Sequence, residues 1–435
     1  MEFDAAQARR NITIRFVEKD FSRFSVYPIV ISYILDILHL DNILQGVLKQ
    51  KRENTTFSST EYLLYLFTII FLGIRHLYKA DDVLADEESL AKIMGFHEGK
   101  FPTSRSLYLL LKQATYWEAQ RLALANRKLL TQKRRVFSKQ RWINIDIDQT
   151  KKLTEGKSIE KAKPCFSKEK KGKLGLRISA SVVEGLVCSQ KLEPGNVGNA
   201  DCFEEILTAT LATIDTMSDP IRSKRVKYKK IILRIDGGYF STKALNFLEG
   251  IRAKRRLDFV VRAKQDLVSL REARKKEKDT HWQQIDENTK VLRLSHIKVL
   301  EDVEHTYTVV IVEEKQRRIV SKNKRVREKL VAIEYPLVTT LTSWGSKRII
   351  KYYKKRQVIE DIFKDFNQSF HAEKLPSHTF WGNAFYYQMV SIVSNVSVFF
   401  KGSTLYRKLE ESHHRDLARQ VFNPSRRNTH KTTSY

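Results

Sequence analysis

Three acidic residues stand in sequence contexts that suit catalysis, and the first lies at the end of an alternating run. Apolar and polar residues alternate from Ile143 to Ile147, as in a strand with one buried face, and Asp148 follows in an Asp-x-Thr sequence. Asp146 lies two residues earlier and therefore points to the same face. The spacing does not choose between the two aspartates, so we take Asp148 as the catalytic candidate and Asp146 as a supporting residue.

The second acid is Asp236, which follows the apolar run from Ile231 to Ile235 and precedes Gly237 and Gly238. A carboxylate at the carboxyl end of a strand, beside a glycine turn that exposes it, is a common position for a functional side chain. The alternative is an aspartate that only caps the turn. The local sequence is consistent with both interpretations.

The third acid belongs to a helical face. Five polar residues are separated by 3, 4, 4 and 3 positions and therefore share one side of a helix: Tyr353, Arg356, Glu360, Lys364 and Asn367. An apolar stripe runs beside them: Ile359, Ile362, Phe363, Phe366 and Phe370. In this arrangement Glu360 faces the site, while Tyr353, Arg356 and Lys364 supply donors for phosphates. The alternative is an ordinary amphipathic helix with a solvated polar face.

Converging carboxylates of this kind suit phosphodiester chemistry. Two divalent ions about 3.5–4 Å apart can activate the attacking oxygen and stabilise the leaving one, and carboxylate oxygens are their natural ligands. Asp148, Asp236 and Glu360 are therefore the candidates for both the catalytic and the metal-binding residues. Such a site does not need a histidine as general base.

The net charge and the apolar runs of the sequence limit the classes of protein to which the chain can belong. The 435 residues include 79 Lys and Arg against 50 Asp and Glu, a formal charge of +29 that favours an anionic partner such as nucleic acid. Basic residues cluster just before position 142 and include Arg134 and Arg135. This cluster is either a surface that contacts phosphates or a solvated helix face. We expect no secretory signal and no membrane span, since the longest apolar run covers only 63–74. A cytoplasmic protein is the expectation.

Apolar periodicity divides the chain into five parts around an α/β core. The predicted boundaries are a helical N-terminal DNA-binding region over 1–138, the first part of the core over 139–264, an inserted β-rich subdomain over 265–337, completion of the core with the Glu360 helix over 338–372, and a C-terminal helical region with a basic tail over 373–435. We expect one long helix over 346–370 and another over 383–400.

The segment from Tyr353 to Asn367 resembles the Tyr-x2-Arg-x3-Glu-x6-Lys signature of bacterial insertion-sequence DDE transposases, with Asn367 in place of the last Lys. Asp148 in Asp-x-Thr and Asp236 in Arg-x-Asp-Gly-Gly-Tyr-Phe are similar to the first and second acids of that family. Further segments follow in the family's order: 73–82, 101–104, 176–197, 375–377 and Asn383. The likeness therefore covers most of residues 60–400.

The resemblance implies a ribonuclease-H-like fold with a β insertion between the second Asp and the Glu. It also implies two Mg²⁺ ions, with Mn²⁺ as the alternative, and excision and insertion of an element with inverted terminal repeats by a homodimer on double-stranded DNA. Some relatives cut through a DNA hairpin and place a flipped base against a Trp of the insertion. Trp282 and Trp344 are the candidates here, and a buried core Trp is the alternative for each.

Two other functions stay open at this stage. One is a DNA-binding protein, derived from a transposase, that has lost catalysis. The other is a structure-specific nuclease with the same fold but without strand transfer. Metal-dependent cleavage would distinguish the first, and joining of cut ends to a target would distinguish the second.

Overall fold

The computed structural model describes residues 27–48, 56–132, 142–154, 158–165, 172–217, 230–265, 267–275, 281–322, 325–403 and 406, with the backbone alone for 318–329. Arg134 and Arg135 lie outside the described residues. The helices are α1 Tyr27–Ser32, α2 Leu40–Leu44, α3 Ser59–Phe71, α4 Lys79–Val83, α5 Glu88–Met94, α6 Ser104–Gln113, α7 Tyr116–Thr131, α8 Phe203–Thr216, α9 Thr242–Arg252, α10 Val268–Lys275, α11 Ser346–Lys354, α12 Gln357–Gln368 and α13 Phe380–Lys401. The strands are β1 Trp142–Leu153, β2 Lys163–Pro164, β3 Leu174–Val183, β4 Leu186–Pro194, β5 Lys230–Ile235, β6 Leu257–Arg262, β7 Gln283–Asp286, β8 Thr289–Ile297, β9 Tyr307–Lys322 and β10 Arg325–Thr339.

The described strands form one mixed sheet of ten strands. Its order is β2-β3-β1-β5-β6-β10-β9-β8-β7, and β4 also pairs with β3. Strand β1 is antiparallel to β3 and parallel to β5, and β5 is parallel to β6. The end of β10 pairs antiparallel with β6, so the strands between residues 283 and 339 extend the same sheet. The predicted α/β class is confirmed, while the domain boundaries stay predictions.

The two faces of the central strands bury different clusters, because side chains alternate along each strand. Ile143, Ile145 and Ile147 of β1 lie in the larger apolar core, which extends to the helices of residues 27–131 and to α13. Ile232 of β5 lies in a second cluster with Trp344 and the residues of α11. The polar residues of β1 share this second face, since Asn144 pairs in register with Ile232.

Helix α13 lies in the interior. Nearly all of its 22 residues are buried, and it packs against β4 and helices α3, α6, α7 and α12. Thr379 caps its first turn by accepting a hydrogen bond from the Gly382 amide. This buried helix joins the N-terminal helices to the sheet. Within the described residues, no helix is both long and apolar enough to cross a membrane.

The prediction of a single helix over 346–370 is wrong in one respect. The segment forms two helices, α11 and α12, which meet at Lys355 and Arg356. The amides of Lys355 and Arg356 bond to carbonyls three residues earlier, Tyr352 and Tyr353, so the last turn of α11 tightens before α12 begins. Neither Pro nor Gly marks this point in the sequence. Arg356 is therefore placed at the junction of the two helices.

Candidate active site

Asp148 and Asp236 lie side by side where the parallel pairing of β1 with β5 ends; Asp148 lies within β1, and Asp236 directly follows β5. The last paired residues of β1 and β5 are Ile147 and Ile235, and each aspartate comes directly after its partner in that pair. The backbone of Asp236 stays extended. Parallel register points the two carboxylates to the same face of the sheet.

The environment of Asp148 disfavours its charged form. Burial raises the pKa of Asp148; Arg356 opposes this shift, and the nearby carboxylate of Asp236 adds to it. The Asp236 side chain makes no capping hydrogen bond to the short helical turn that follows it, as far as the described residues show. Asp236 therefore does not cap the turn, which was the alternative that its sequence context allowed.

Gly238 allows a close approach behind Asp236. A Cβ atom at this position would collide with the side-chain amide of Asn199. Asn199 in turn accepts a hydrogen bond from Arg177 at 3.3 Å, and Arg177 also donates to Gln149, next to Asp148, at 2.7 Å. The glycine therefore lets the turn after Asp236 pack against Asn199, which belongs to a polar network with Arg177 and Gln149.

Arg356 links the third acid, Glu360, to Asp148. Its Nη1 lies 2.7 Å from Oδ2 of Asp148, and its Nη2 lies 2.6 Å from Oε1 of Glu360. Tyr353, one turn earlier, is buried beside Arg356 and Asp236; burial raises its pKa, and the Asp236 charge raises it further. Four members of the predicted polar face or acid set, Asp148, Tyr353, Arg356 and Glu360, thus meet in one place.

Asp146 is held differently from Asp148. Arg234, its register partner on β5, donates to both of its carboxylate oxygens, at 2.7 and 2.6 Å. Both side chains are about 5% exposed or less. Arg234 also donates to the carbonyl of Tyr352 at 3.0 Å, which anchors α11 to the sheet. Burial raises the pKa of Asp146 to about 6, and the Arg234 charge opposes this shift.

Lys152 and Asn367 form a second link between β1 and α12. The Lys152 side chain is 2% exposed; its Nζ donates to the Asn367 side-chain oxygen and, at 2.7 Å, to the carbonyl of Ala372. The ring of Tyr387 on α13 lies 5.3 Å away. Burial lowers the pKa of Lys152 to about 7. Asn367, which departs from the signature, therefore accepts a hydrogen bond from a lysine on another element.

The remaining predicted DNA-contact residues lie apart from the acids. Lys364 is exposed and pairs with Asp361 at 3.0 Å. Trp344 is 8% exposed and packs between Trp142, Tyr352 and Arg348. Trp282 is half-buried, with Lys290 and Arg274 over its ring at 4.9 and 5.6 Å. The structure does not bring these three side chains to Asp148.

The sequence interpretation missed Arg234 and Lys152. The alternation of side chains along the strands could have indicated both residues. Arg234 lies two residues before Asp236, and Lys152 lies four residues after Asp148, so each lies on the same face of its strand as the acid. Their partners could not be read from the sequence, because Asp146 and Asn367 lie 88 and 215 residues away.

The three acids suit a hard divalent cation by their chemistry, since Mg²⁺ and Mn²⁺ prefer carboxylate oxygens. Across the described residues, however, no three Asp, Glu, His or Cys side chains are close enough to hold an ion. The guanidinium of Arg356 instead lies between Asp148 and Glu360 and supplies the positive charge there. The three carboxylates are chemically suitable ligands for a divalent metal ion, provided that the Arg356 side chain moves away from Asp148 and Glu360.

Comparisons with known proteins identify the family. The family model described as transposase DDE domain, group 1, matches residues 25–424. A search of curated proteins found no match. One similar solved structure is described as the piggyBac transposase synaptic complex with hairpin DNA; it is 12% identical, with a TM-score of 0.41, over 93% of this chain and 82% of that one. Because the family model spans nearly the whole chain, the protein belongs to the DDE transposase family, group 1.

Proposed function

We propose that the protein excises and inserts an insertion-sequence element in double-stranded DNA, by phosphodiester hydrolysis followed by strand transfer. Two observations support the proposal: Arg356 bridges Asp148 of β1 and Glu360 of α12, and Asp236 follows β5 next to Asp148, in a chain that matches the DDE family over residues 25–424. The antiparallel β4-β3-β1 and parallel β1-β5-β6 pairings support a ribonuclease-H-like core.

In this proposal Asp148, Asp236 and Glu360 hold two Mg²⁺ ions, with Mn²⁺ as the alternative. The ions, when bound, supply activation of the attacking oxygen and stabilisation of the leaving oxygen. Asp148 is preferred to Asp146 as ligand because both oxygens of Asp146 are held by the buried Arg234, whereas the oxygens of Asp148 accept from the Gln149 amide and from Arg356, the arginine that turns to DNA in this proposal. Asp146 then has a supporting role, since it fixes β1 against β5.

In this proposal the basic side chains around the acids also bind DNA phosphates. Arg356 would turn from the carboxylates to a DNA phosphate, where its planar fork can bind two oxygens. Lys364 would contribute a more distant phosphate contact from the exposed side of α12. Of the two tryptophans, Trp282 is the more accessible to a flipped base, since Trp344 is buried. The homodimer and the terminal inverted repeats follow from the family resemblance.

The test is cleavage of a terminal-repeat duplex by the purified protein with Mg²⁺. Glu360→Gln should abolish nicking without weakening DNA binding, because it removes one ligand charge and retains the side-chain volume. Asp361→Asn is the matched control: this neighbour faces outward and contacts Lys364 and Gln357. It should nick at the wild-type rate. Equal nicking by Glu360→Gln and the wild type would refute the assignment.

One observation favours a second function. The ion pairs of Arg356 with Asp148 and Glu360 offset part of the negative charge of the site without a metal, as would suit a DNA-binding protein that does not cut. Such a protein would bind the duplex and leave it intact at any Mg²⁺ or Mn²⁺ concentration. A nuclease without strand transfer would cut the duplex but fail to join its ends to a target plasmid.

A further inference from the structure

A cavity of about 330 Å³ lies at the far end of the Glu360 helix. Its walls come from the segment after α3, from the start of α6 and from the segment after α12. The lining side chains that matter here are Arg75, His76, Tyr78, His371, Lys374 and Tyr386. Two segments that resemble the family, 73–82 and 375–377, thus meet around one space.

The cavity is positively charged. Arg75, Lys374 and two histidines line it, and none of its described lining residues is acidic. The pKa of His76 is lowered, mainly by burial and then by the charges of Lys374 and Arg75, which shows that these groups share one environment. Glu373 lies behind Arg75 and pairs with it at 3.5 Å, so one cation is partly neutralised. The surplus charge suits an anionic ligand.

Aromatic rings stand beside the cations. Tyr78 is 62% exposed, and its ring stacks on His76 with centroids 5.2 Å apart and an angle of 23°. Tyr386 forms part of the inner wall. An exposed ring stacked on a second ring, next to basic side chains, is the arrangement on which unpaired bases stack in single-strand binding proteins.

The wall formed by the segment after α12 is firmly held. Both Lys152 and Tyr387 donate to the carbonyl of Ala372, at 2.7 and 2.9 Å. Two residues of the same segment are thereby fixed near the cavity, His371 and Lys374. His371 has a left-handed backbone with φ of 48°, which a non-glycine residue adopts only when its surroundings impose it. A ligand would therefore meet a preformed wall.

We propose that this cavity binds one unpaired nucleotide of the DNA substrate, with the base on the ring of Tyr78 and the phosphate between Arg75 and Lys374. A paired base is already stacked within the duplex, so its face is not available to a tyrosine ring. Helix α12 spans about 12 Å between Glu360 and its last residue at 1.5 Å per residue, and the segment that follows it supplies His371 and Lys374 to the cavity. The inference rests on the proposed function, since it takes DNA as the ligand.

The experiment compares two fluorescent duplexes in Ca²⁺: one blunt, and one with a short single-stranded 3′ extension carrying 2-aminopurine. The wild type should bind the extended duplex more tightly and quench the 2-aminopurine. Tyr78→Ala should weaken binding of the extended duplex about tenfold, remove the quenching and leave binding of the blunt duplex unchanged. Tyr78→Phe, which keeps the ring, should behave as the wild type.

Lys374→Gln should also weaken binding of the extended duplex. Trp117→Ala is the matched control, because Trp117 is an exposed aromatic residue on α7 that lies outside the cavity. Three outcomes overturn the inference: equal wild-type affinity for both duplexes, equal losses on both in Tyr78→Ala, or the same loss in Trp117→Ala. Failure of the wild type to bind either duplex would instead overturn the proposed function.

Discussion

Arg356 forms an ion pair of 2.7 Å with Asp148 of β1. The same guanidinium group forms a second ion pair, of 2.6 Å, with Glu360. The single positive charge of the arginine is therefore shared by two of the three acids. Without it, the converging carboxylates would repel one another, as the effect of Asp236 on the pKa of Asp148 indicates. A metal ion at these acids must displace Arg356 or share them with it.

Arg356→Gln should therefore bind Mn²⁺ more tightly than the wild type in the absence of DNA. Removing a competing charge within hydrogen-bonding distance of the ligands should lower the Kd for Mn²⁺ about tenfold, equal to about 1.4 kcal/mol. DNA nicking should fall in the same variant, because the proposed phosphate contact is lost. Titration calorimetry with Mn²⁺ measures the first effect independently of activity.

Lys355→Gln is the matched control for that measurement. It removes the same charge from the adjacent position, where the side chain is exposed. Its Kd for Mn²⁺ should stay within about twofold of the wild type, since exposed charges are screened by solvent. Equal Mn²⁺ affinities in Arg356→Gln and the wild type would show that Arg356 does not compete with the metal.

Asp146→Asn and Asp148→Asn should separate stability from catalysis. The Asp146 change leaves Arg234 buried beside a neutral partner, so we expect a loss of about 3–5 kcal/mol in the free energy of unfolding. The Asp148 change relieves repulsion from Asp236, and Arg356 keeps its ion pair with Glu360, so its loss should be smaller than that of the Asp146 change. Nicking should disappear only in Asp148→Asn. Urea unfolding and the nicking assay, both at low temperature, test the pair; a reversed pattern would exchange the two roles.

The sequence predicted local structure well where one periodicity dominates. The alternation from Ile143 to Ile147 gave β1, and the apolar run before Asp236 gave β5, because one buried face imposes period two. The break between α11 and α12 was not predicted, because the helical spacing of Tyr353, Arg356 and Glu360 continues across it without Pro or Gly. Tertiary contacts decide such a break.

Pairings between distant elements could not be predicted in the same way. That Asp148 and Asp236 are neighbours follows from the parallel register of β1 and β5, which depends on strand order rather than on either segment. The signature has a lysine at the position that Asn367 occupies here. The structure instead places the amine of Lys152 at Asn367.

Lys152→Met should change how stability depends on pH. Burial lowers the pKa of Lys152 from 10.5 to about 7, so between these values the unfolded chain retains a proton that the folded chain has released. The free energy of unfolding of the wild type should therefore rise with pH from about 7 to 10.5, and this contribution should be constant below pH 7. Relative to Lys152→Met, the gain should be on the order of 4 kcal/mol.

Urea unfolding of both proteins at pH 6, 7, 8.5 and 10 measures this difference, in which the titration of all other groups cancels. Lys355→Met removes an exposed lysine and serves as the control; its difference from the wild type should not vary with pH. A constant difference between the wild type and Lys152→Met would mean that Lys152 keeps its proton inside the fold.

Asn367→Lys restores the family signature and should nevertheless destabilise the protein. The Lys152 amine donates to the Asn367 oxygen, so a lysine at 367 would replace an acceptor with a second ammonium group. Exchanging the two residues, in Lys152→Asn with Asn367→Lys, restores one amine and one amide. The interaction energy in this double-mutant cycle should be about 1–3 kcal/mol in favour of the exchange, measured by urea unfolding at pH 7. Additive losses in the double variant would show that the two positions are independent, and the departure from the signature would then need another cause.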